Sequence, residues 1–447
     1  MKRNAPRFSS PEPGLSGGEG LGRGLLFLHL LLSPLLFVRD TVEVFEFPKV
    51  ALLHLTAILL VALGLSSSIR RIPPKPSRAF LRETFLDWAR HLIREPISAG
   101  FLLFLLSAAV STATSISPRT SLQGAPESCA GLFTILAYTI LFFATRQLCG
   151  TLADGRRLLA APVIAAAAAS VYALLQTARL DPIGWEQVSY FGSYARPLGT
   201  MGHPNLLAAF LVMTLPLTLF CAWQAARQRQ GTVLAVLVLA CGLAGLTILA
   251  SVSRGAWLAL LGSLAILLIG WLRWHWGKPT RTMVWTLPLA VAGVVLLGFA
   301  WPGGRDILTQ VIDRGRHWND SPSRLHIWGA GLRLFQAFPL FGCGLDTFQL
   351  AFGRVRTPAY WHTEWNGTPS RAHNEAIHLL ATQGLLGAVA VLVLTAGLIR
   401  AAVRTWRRGS GADRMLGVAL TAAIAGFYLQ DLFSFTVAGC GTLFVSL

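Results

Sequence analysis

The chain has 447 residues, of which 53% are apolar and 13% charged, too little polar surface to cover a soluble globule of this size. Its 38 Lys and Arg outnumber 20 Asp and Glu, for a net charge of +18, yet the cations punctuate long apolar runs instead of gathering on one polar face, which argues against a nucleic-acid binder. The six Cys show no paired spacing, which argues against a zinc site or a disulfide framework.

Residues 1–22 are rich in Gly, Pro, Ser and Arg, lack a helical pattern, and read as a disordered cytoplasmic tail. No small-residue cleavage site follows the first apolar run, so a signal peptide is not expected. Crossing about 30 Å of hydrocarbon takes roughly 20 mainly apolar residues. Such runs occur at 24–38, 50–65, 97–114, 129–144, 158–177, 205–223, 232–250, 255–272, 283–301, 376–399, 415–430 and 433–447. They predict an all-α polytopic membrane protein with about twelve transmembrane helices. The organisation is then a tail at 1–22, nine transmembrane helices within 23–301, one long loop at 302–374 with short amphipathic helices, and three more helices within 375–447. The final run stops at Leu447 with no polar tail, which leaves open a continuation of the natural chain.

Cations near span ends set orientation. With the N-terminus inside and strict alternation, twenty-four of the 38 fall on the inner side, including Arg70, Arg71, Lys75, Arg78, Arg82, Arg156, Arg157, Arg400, Arg404, Arg407 and Arg408. Six fall in short outer loops and eight in the long loop, which is therefore outside. Ionisable residues within spans are nearly absent; His29 and His54 stand alone and read as packing residues.

Polar chemistry concentrates in four outer segments. In Arg196 to Asn205 a Gly/Pro turn with Asn205 as helix N-cap explains most of the pattern, with Arg196 left as the candidate. In Ser251 to Trp257 an Arg stands where orientation rules would not put one; Arg254 at a helix N-terminus makes a compact anion site, against snorkelling with Trp257 as an interfacial residue. Between Arg324 and Phe348, the repeat of Leu325, Trp328, Leu332 and Phe335 predicts an amphipathic helix lying on the outer membrane face, followed by a Gly-rich turn; Arg324 carries the chemistry, since guanidinium suits phosphate oxygens. The fourth is Arg371-Ala372-His373-Asn374-Glu375, a polar N-cap whose imidazole shares one face with Arg254 and Arg324. No Asp-x-Asp pair or carboxylate cluster in the outer loops suggests a metal, so none is expected.

Span count, Ser253-Arg254-Gly255-Ala256-Trp257, the Arg324 to Gly344 helix and turn, and His373-Asn374-Glu375 before Gly384-Leu385-Leu386-Gly387 together resemble the O-antigen ligase and polymerase superfamily. The resemblance spans roughly residues 40–447 and implies a fold related to the GT-C class of glycosyltransferases in the bacterial inner membrane. It implies transfer of a glycan from undecaprenyl diphosphate to an acceptor on the periplasmic side, with no cofactor. By resemblance, Arg254 and Arg324 hold the diphosphate and His373 activates the acceptor hydroxyl. Arg196, Asn205, Arg371, Asn374 and Trp328 are the expected substrate contacts. One departure is Gly124-Ala125-Pro126-Glu127, where many relatives carry basic residues. Partners are then the carrier-linked donor, the bilayer, and one of three acceptors: lipid A core (ligase), a growing chain on a second carrier (polymerase), or a protein hydroxyl (oligosaccharyltransferase). The competing classes are a transporter and a non-catalytic assembly scaffold.

Overall fold

The structure, a computed structural model, describes residues 17–41, 43–71, 95–185, 190–191, 194–275, 293, 304–316, 322–364 and 367–447. In chain order its helices are α1 (Gly17–Leu32), α2 (Glu46–Arg71), α3 (Pro96–Ala113), α4 (Pro118–Gln123), α5 (Leu132–Leu148), α6 (Leu152–Leu158), α7 (Ala160–Thr177), α8 (Pro204–Arg227), α9 (Gly231–Ala250), α10 (Arg254–His275), α11 (Gly304–Arg316), α12 (Pro322–Ala337), α13 (Phe348–Val355), α14 (Glu375–Arg408), α15 (Gly411–Asp431) and α16 (Ala438–Ser446). Two short strands, Tyr190–Phe191 and Tyr194–Ala195, pair antiparallel before α8.

Among the described residues eight helical segments are long and apolar enough to cross a membrane: α2, α3, α6 with α7, α8, α9, α10, α14 and α15. The chain is a membrane protein. Helices α1 and α5, with 16 and 17 residues, reach only about 24–26 Å. The expected run at 283–301 and the cations Lys75, Arg78 and Arg82 lie outside the described residues. Residues 17–22 of the expected tail are the first helical residues of α1.

The expected twelfth span is corrected. Its helix, α16 (Ala438–Ser446), begins five residues later than the expected start at 433. The physical reason lies before it, where carboxylates hold 432–438 in a non-helical path. The Thr436 amide donates to Glu375 Oε2 (3.4 Å), its hydroxyl to Asp431 Oδ2 (2.6 Å), and the Ala438 amide to Glu46 Oε1 (2.6 Å). Glu46, Lys49, Glu375 and Asp431 flank the expected spans at 50–65, 376–399 and 415–430 and lie in the end turns of α2, α14 and α15.

Helix α8 is the centre of the array, with 83% of its apolar window buried. It runs antiparallel to α15, Gly426 lying against Val212 and Gln430 donating to the Asn205 carbonyl (3.4 Å). Helix α10 runs antiparallel to α15 too: Ser263 donates to the Ala422 carbonyl (3.0 Å), and a Cβ at Gly255 would lie 2.8 Å from Phe433 Cβ. On the far side α3 and α14 approach closely through Gly100 at Leu394 and Gly397 at Ile97. His29 bonds Thr56 (3.0 Å) and His54 bonds Thr134 (3.2 Å), so both are packing residues, as expected.

The two glycine motifs of the second half prove to be one device. Helix α14 breaks at Gly384, whose φ of 63° and ψ of −155° leave helical space. The turn after α12 fills the break: Cys343 and Gly344 amides donate to the Ala381 and Thr382 carbonyls (2.9 and 3.1 Å), and Leu385 and Leu386 amides to the Pro339 and Leu340 carbonyls (2.9 and 3.2 Å). Two carbonyls and two amides beside the kink are thereby paired. Side chains are excluded on both partners, since a Cβ at Gly342 would overlap Thr382 and one at Gly384 would sit 2.5 Å from the Leu340 carbonyl carbon. This interlock fixes α12 against the start of α14.

Helix α12 carries apolar residues on two faces. Leu325 and Leu332 are 68% and 45% exposed, while Ile327, Ala330 and Leu334 are buried with Phe348, Phe352 and Tyr360. Apolar residues line both sides of this helix, so the repeat alone did not reveal which side meets protein.

Gly384→Ala is expected to lower stability by about 2 kcal/mol or more, from left-handed strain plus overlap with Leu340. Gly64→Ala, at an open position in α2, is expected to be neutral or stabilising by up to about 1 kcal/mol. Thermal unfolding in detergent micelles measures both; equal losses would contradict the interlock.

Candidate functional site

Helices α8, α10, α12 and α14 all begin at one end of the array, and the candidate residues sit at or just before these N-termini. Each N-terminus presents unpaired amides and the positive end of a helix dipole, so the convergence favours an anion before any side chain is counted.

Arg196, ahead of α8, is held in place: Nε donates to the Ser251 carbonyl (2.7 Å) and a terminal nitrogen to Asn205 Oδ1 (2.7 Å). The N-cap of α8 is His203, whose Nδ1 accepts the Asn205 amide (3.1 Å). This corrects the expectation of Asn205 as the cap; Asn205 lies inside the first turn, where its side chain orients Arg196. Ser251 is the C-cap of α9, and three residues later Arg254 opens α10. The Trp257 indole donates back to the Ile248 carbonyl (3.3 Å), bracing the α9–α10 turn.

Arg324 lies in the first turn of α12, and the charge of Arg254 acts on it. Burial, then Arg254, lowers the Arg324 pKa. Burial, then Arg314 of α11 and, more weakly, Arg324, lowers that of Arg196 to about 10. Among the described residues Arg324 makes no hydrogen bond or ion pair. A partly buried guanidinium without a carboxylate, among other cations, is costly unless an anion completes it.

His373 joins the cluster from the α14 side. Its φ of 51° is left-handed, an uncommon state for a side chain this size. Asn374 fixes the geometry, its Oδ1 capping α14 through the Ile377 amide (3.1 Å) and its Nδ2 donating to the Leu432 carbonyl (2.9 Å). With both ends engaged, Asn374 is a positioning residue. The His373 ring stands edge-on to Phe435 (5.5 Å between centroids), and the Arg371 guanidinium lies 5.3 Å from the same ring. Arg371 is only 6% exposed. Burial, then Arg324, pushes the His373 pKa down to about 4, with Glu364 acting in the opposite direction. His373 is therefore neutral at pH 7, and no described residue hydrogen-bonds its ring.

The structure thus brings together Arg196, Arg254, Arg324, Arg371 and His373, with Asn205 and Asn374 as their supports. Trp328 lies one turn beyond Arg324 with its indole N–H buried and unpartnered. Three residues went unremarked in the sequence: His203, within the Gly/Pro turn, Arg314 and Glu364. The Glu364 carboxylate accepts the buried Tyr360 hydroxyl (2.7 Å). At Gly124-Ala125-Pro126-Glu127, the Ala125 amide donates to Asp346 Oδ2 (2.7 Å), as does Ser128 Oγ to Oδ1 (2.7 Å), so this segment is tied to the turn after α12. Among the described residues no group of three or more His, Cys, Asp or Glu is placed to hold a metal ion.

Residues 239–392 match the sequence model of the family described as O-antigen ligase. The match covers about a third of the chain. No curated protein matches the chain significantly. The ligase-family stretch runs from α9 into α14 and contains Arg254, Arg324, Trp328, Arg371, His373 and Asn374, whereas Arg196, His203 and Asn205 precede it. It supports a glycosyltransferase-type activity in O-antigen processing.

Replacing Arg324 by Met is expected to stabilise the ligand-free protein, on the order of 1 kcal/mol, because it removes a crowded charge while keeping an apolar stem. Inorganic diphosphate should raise the melting temperature of the unsubstituted protein and not that of Arg324→Met. Thermal unfolding with and without diphosphate tests this; a destabilised variant that still responds to diphosphate would contradict it.

Proposed function

We propose that this protein is an O-antigen ligase-like glycosyltransferase. It moves a glycan from undecaprenyl diphosphate to an acceptor hydroxyl at the periplasmic face of the bacterial inner membrane, with the N-terminus cytoplasmic. The observation that carries the reading is the convergence of Arg196, Arg254 and Arg324 on a neutral His373, with Arg324 lacking a carboxylate partner among the described residues. The periplasmic assignment rests on the lopsided distribution of cations between the two ends of the array.

In the proposed reaction His373 takes the proton from the acceptor hydroxyl as its oxygen bonds to the anomeric carbon. The bond from that carbon to the diphosphate oxygen breaks, and its electron pair leaves with the diphosphate. Negative charge grows on the leaving group, so guanidiniums fixed around it favour the transition state over the ground state. A positioned base contributes about 10² to 10⁴ in rate. A single displacement from the face opposite the leaving group inverts the anomeric centre. Arg196, braced by Asn205 and Ser251, supplies a third cation, and Trp328 lies where donor contacts are expected.

Purified protein given one carrier-linked donor and, separately, lipid A core, a carrier-linked chain and a protein acceptor tests the reaction and identifies the acceptor. Arg254→Lys is expected to lose most activity despite keeping its charge, because an ammonium cannot fork onto two phosphate oxygens; near-normal turnover would contradict diphosphate binding. Activity is expected to survive EDTA, and strict dependence on an added divalent ion would refute the metal-free mechanism. The base must be unprotonated, so kcat/KM should fall as pH drops through the His373 pKa, with its acid limb below the ordinary histidine value near 6.5. Bound diphosphate offsets Arg324 and raises that pKa, so the limb of kcat should lie at higher pH than that of kcat/KM. An acid limb at or above 6.5 in kcat/KM would overturn the assignment of His373.

A further inference from the structure

The site holds a second imidazole, His203, with a different chemical environment. Its backbone is extended (φ −152°, ψ 137°), and it caps α8 by offering the Nδ1 lone pair to the Asn205 amide at 3.1 Å. Pro204 at the first helical position has no N–H to compete. A ring nitrogen that accepts a backbone amide cannot carry a proton, so the ring proton of the neutral form sits on Nε2. No described residue bonds Nε2.

The turn before His203 is rigid. Thr200 accepts from Lys49 Nζ (2.9 Å) through its carbonyl, its hydroxyl donates to the Pro34 carbonyl (2.7 Å), and Gly202 has a φ of 76° with a Cβ-free face against the Phe45 ring. The ring is therefore held from both sides. It lies within reach of the charges of Arg196, His373 and Arg324. Burial, then these three groups, pushes its pKa down to about 3, so it stays neutral wherever the protein is active.

We infer that His203 is a fixed, neutral hydrogen-bond donor, through Nε2–H, to the diphosphate oxygens of the donor substrate. This rests on the proposed transferase reading. It divides the two histidines by role: His373, with a ring free of hydrogen bonds to described residues, takes a proton, whereas His203 only donates a hydrogen bond. A neutral donor adds a hydrogen bond to the anion and adds no repulsion to a crowded cluster.

Two substitutions separate its two functions. His203→Asn places an oxygen where Nδ1 was, keeping the cap, but removes the outward N–H. His203→Gln places an N–H near the Nε2 position. In detergent-solubilised full chain, binding of undecaprenyl diphosphate should weaken about tenfold in His203→Asn and recover most of its strength in His203→Gln. The kcat for glycan transfer should fall about 10- to 100-fold in His203→Asn, with recovery in His203→Gln and no change in the acid limb of the pH profile. Arg324→Ala is the control. If it leaves carrier binding intact, the anion-site reading itself fails. If it weakens binding but His203→Asn binds and turns over normally, or Asn and Gln lose equally, the His203 proposal alone is overturned. Loss of a titrating limb in His203→Gln would show that His203 is a base and would also overturn it.

Discussion

Crowded positive charge is the constraint around which the site is built. Two unit charges about 4 Å apart repel by roughly 4 kcal/mol at an effective dielectric constant near 20. Arg196, Arg254 and Arg324 bear on one another at the point where four helix N-termini converge. Such a cluster persists only if the scaffold over-determines it. Arg196 is clamped by a backbone carbonyl and an amide side chain, and Gly255 lets α10 sit directly on Phe433 and Gln430. The Gly342 and Gly384 interlock ties α12 to α14. Stability spent on the cluster is recovered when a multivalent anion enters, which makes diphosphate binding and local order one equilibrium.

Three buried carboxylates are engaged elsewhere. Glu46, Glu375 and Asp431 turn to the segment between α15 and α16, where they accept from Thr436 and Ala438. Had any of them paired with Arg324, the cation would be neutralised and the site closed to an anion. Arg371 stands between the two groups, over Phe435, within electrostatic reach of Glu375 and Asp431 on one side and His373 on the other. The same residues therefore bend the chain at 432–437 and keep negative charge away from the diphosphate position. Helix α16 starts late because this bend occupies residues that hydropathy assigned to a span.

Much of this was legible in the sequence because lipid imposes a simple rule: backbone polar groups must pair within a helix, so long apolar runs mark helices well. Arg254 and His373 were found because each stands at the start of such a run, where alternation puts them on one side. The rule fails where tertiary contacts decide. Hydropathy cannot distinguish 433–447 as a span from a bent segment plus a nine-residue helix, since both are apolar. It cannot see that Gly342 and Gly384 are partners across forty residues of chain. It misses acids at span ends, where a carboxylate in water and one buried against an amide look alike. His203 was hidden by its cap: His is an uncommon N-cap, and the neighbouring Asn205 offered the commoner one.

The two histidines show how environment and not residue type sets a role. Both are depressed by burial and by Arg324, so neither is charged at neutral pH before substrate arrives. They differ in what the ring nitrogens already do. At His203 one nitrogen is committed to the α8 cap, and protonating it would break that bond as well as add charge among cations. At His373 no described residue occupies either nitrogen, and Glu364 lends some stabilisation to the protonated form. In the proposed reaction the donor's negative charge offsets Arg324 and raises the proton affinity of His373, while burial and Arg371 continue to lower it, so the coupling between base and leaving group runs through the one guanidinium that both face.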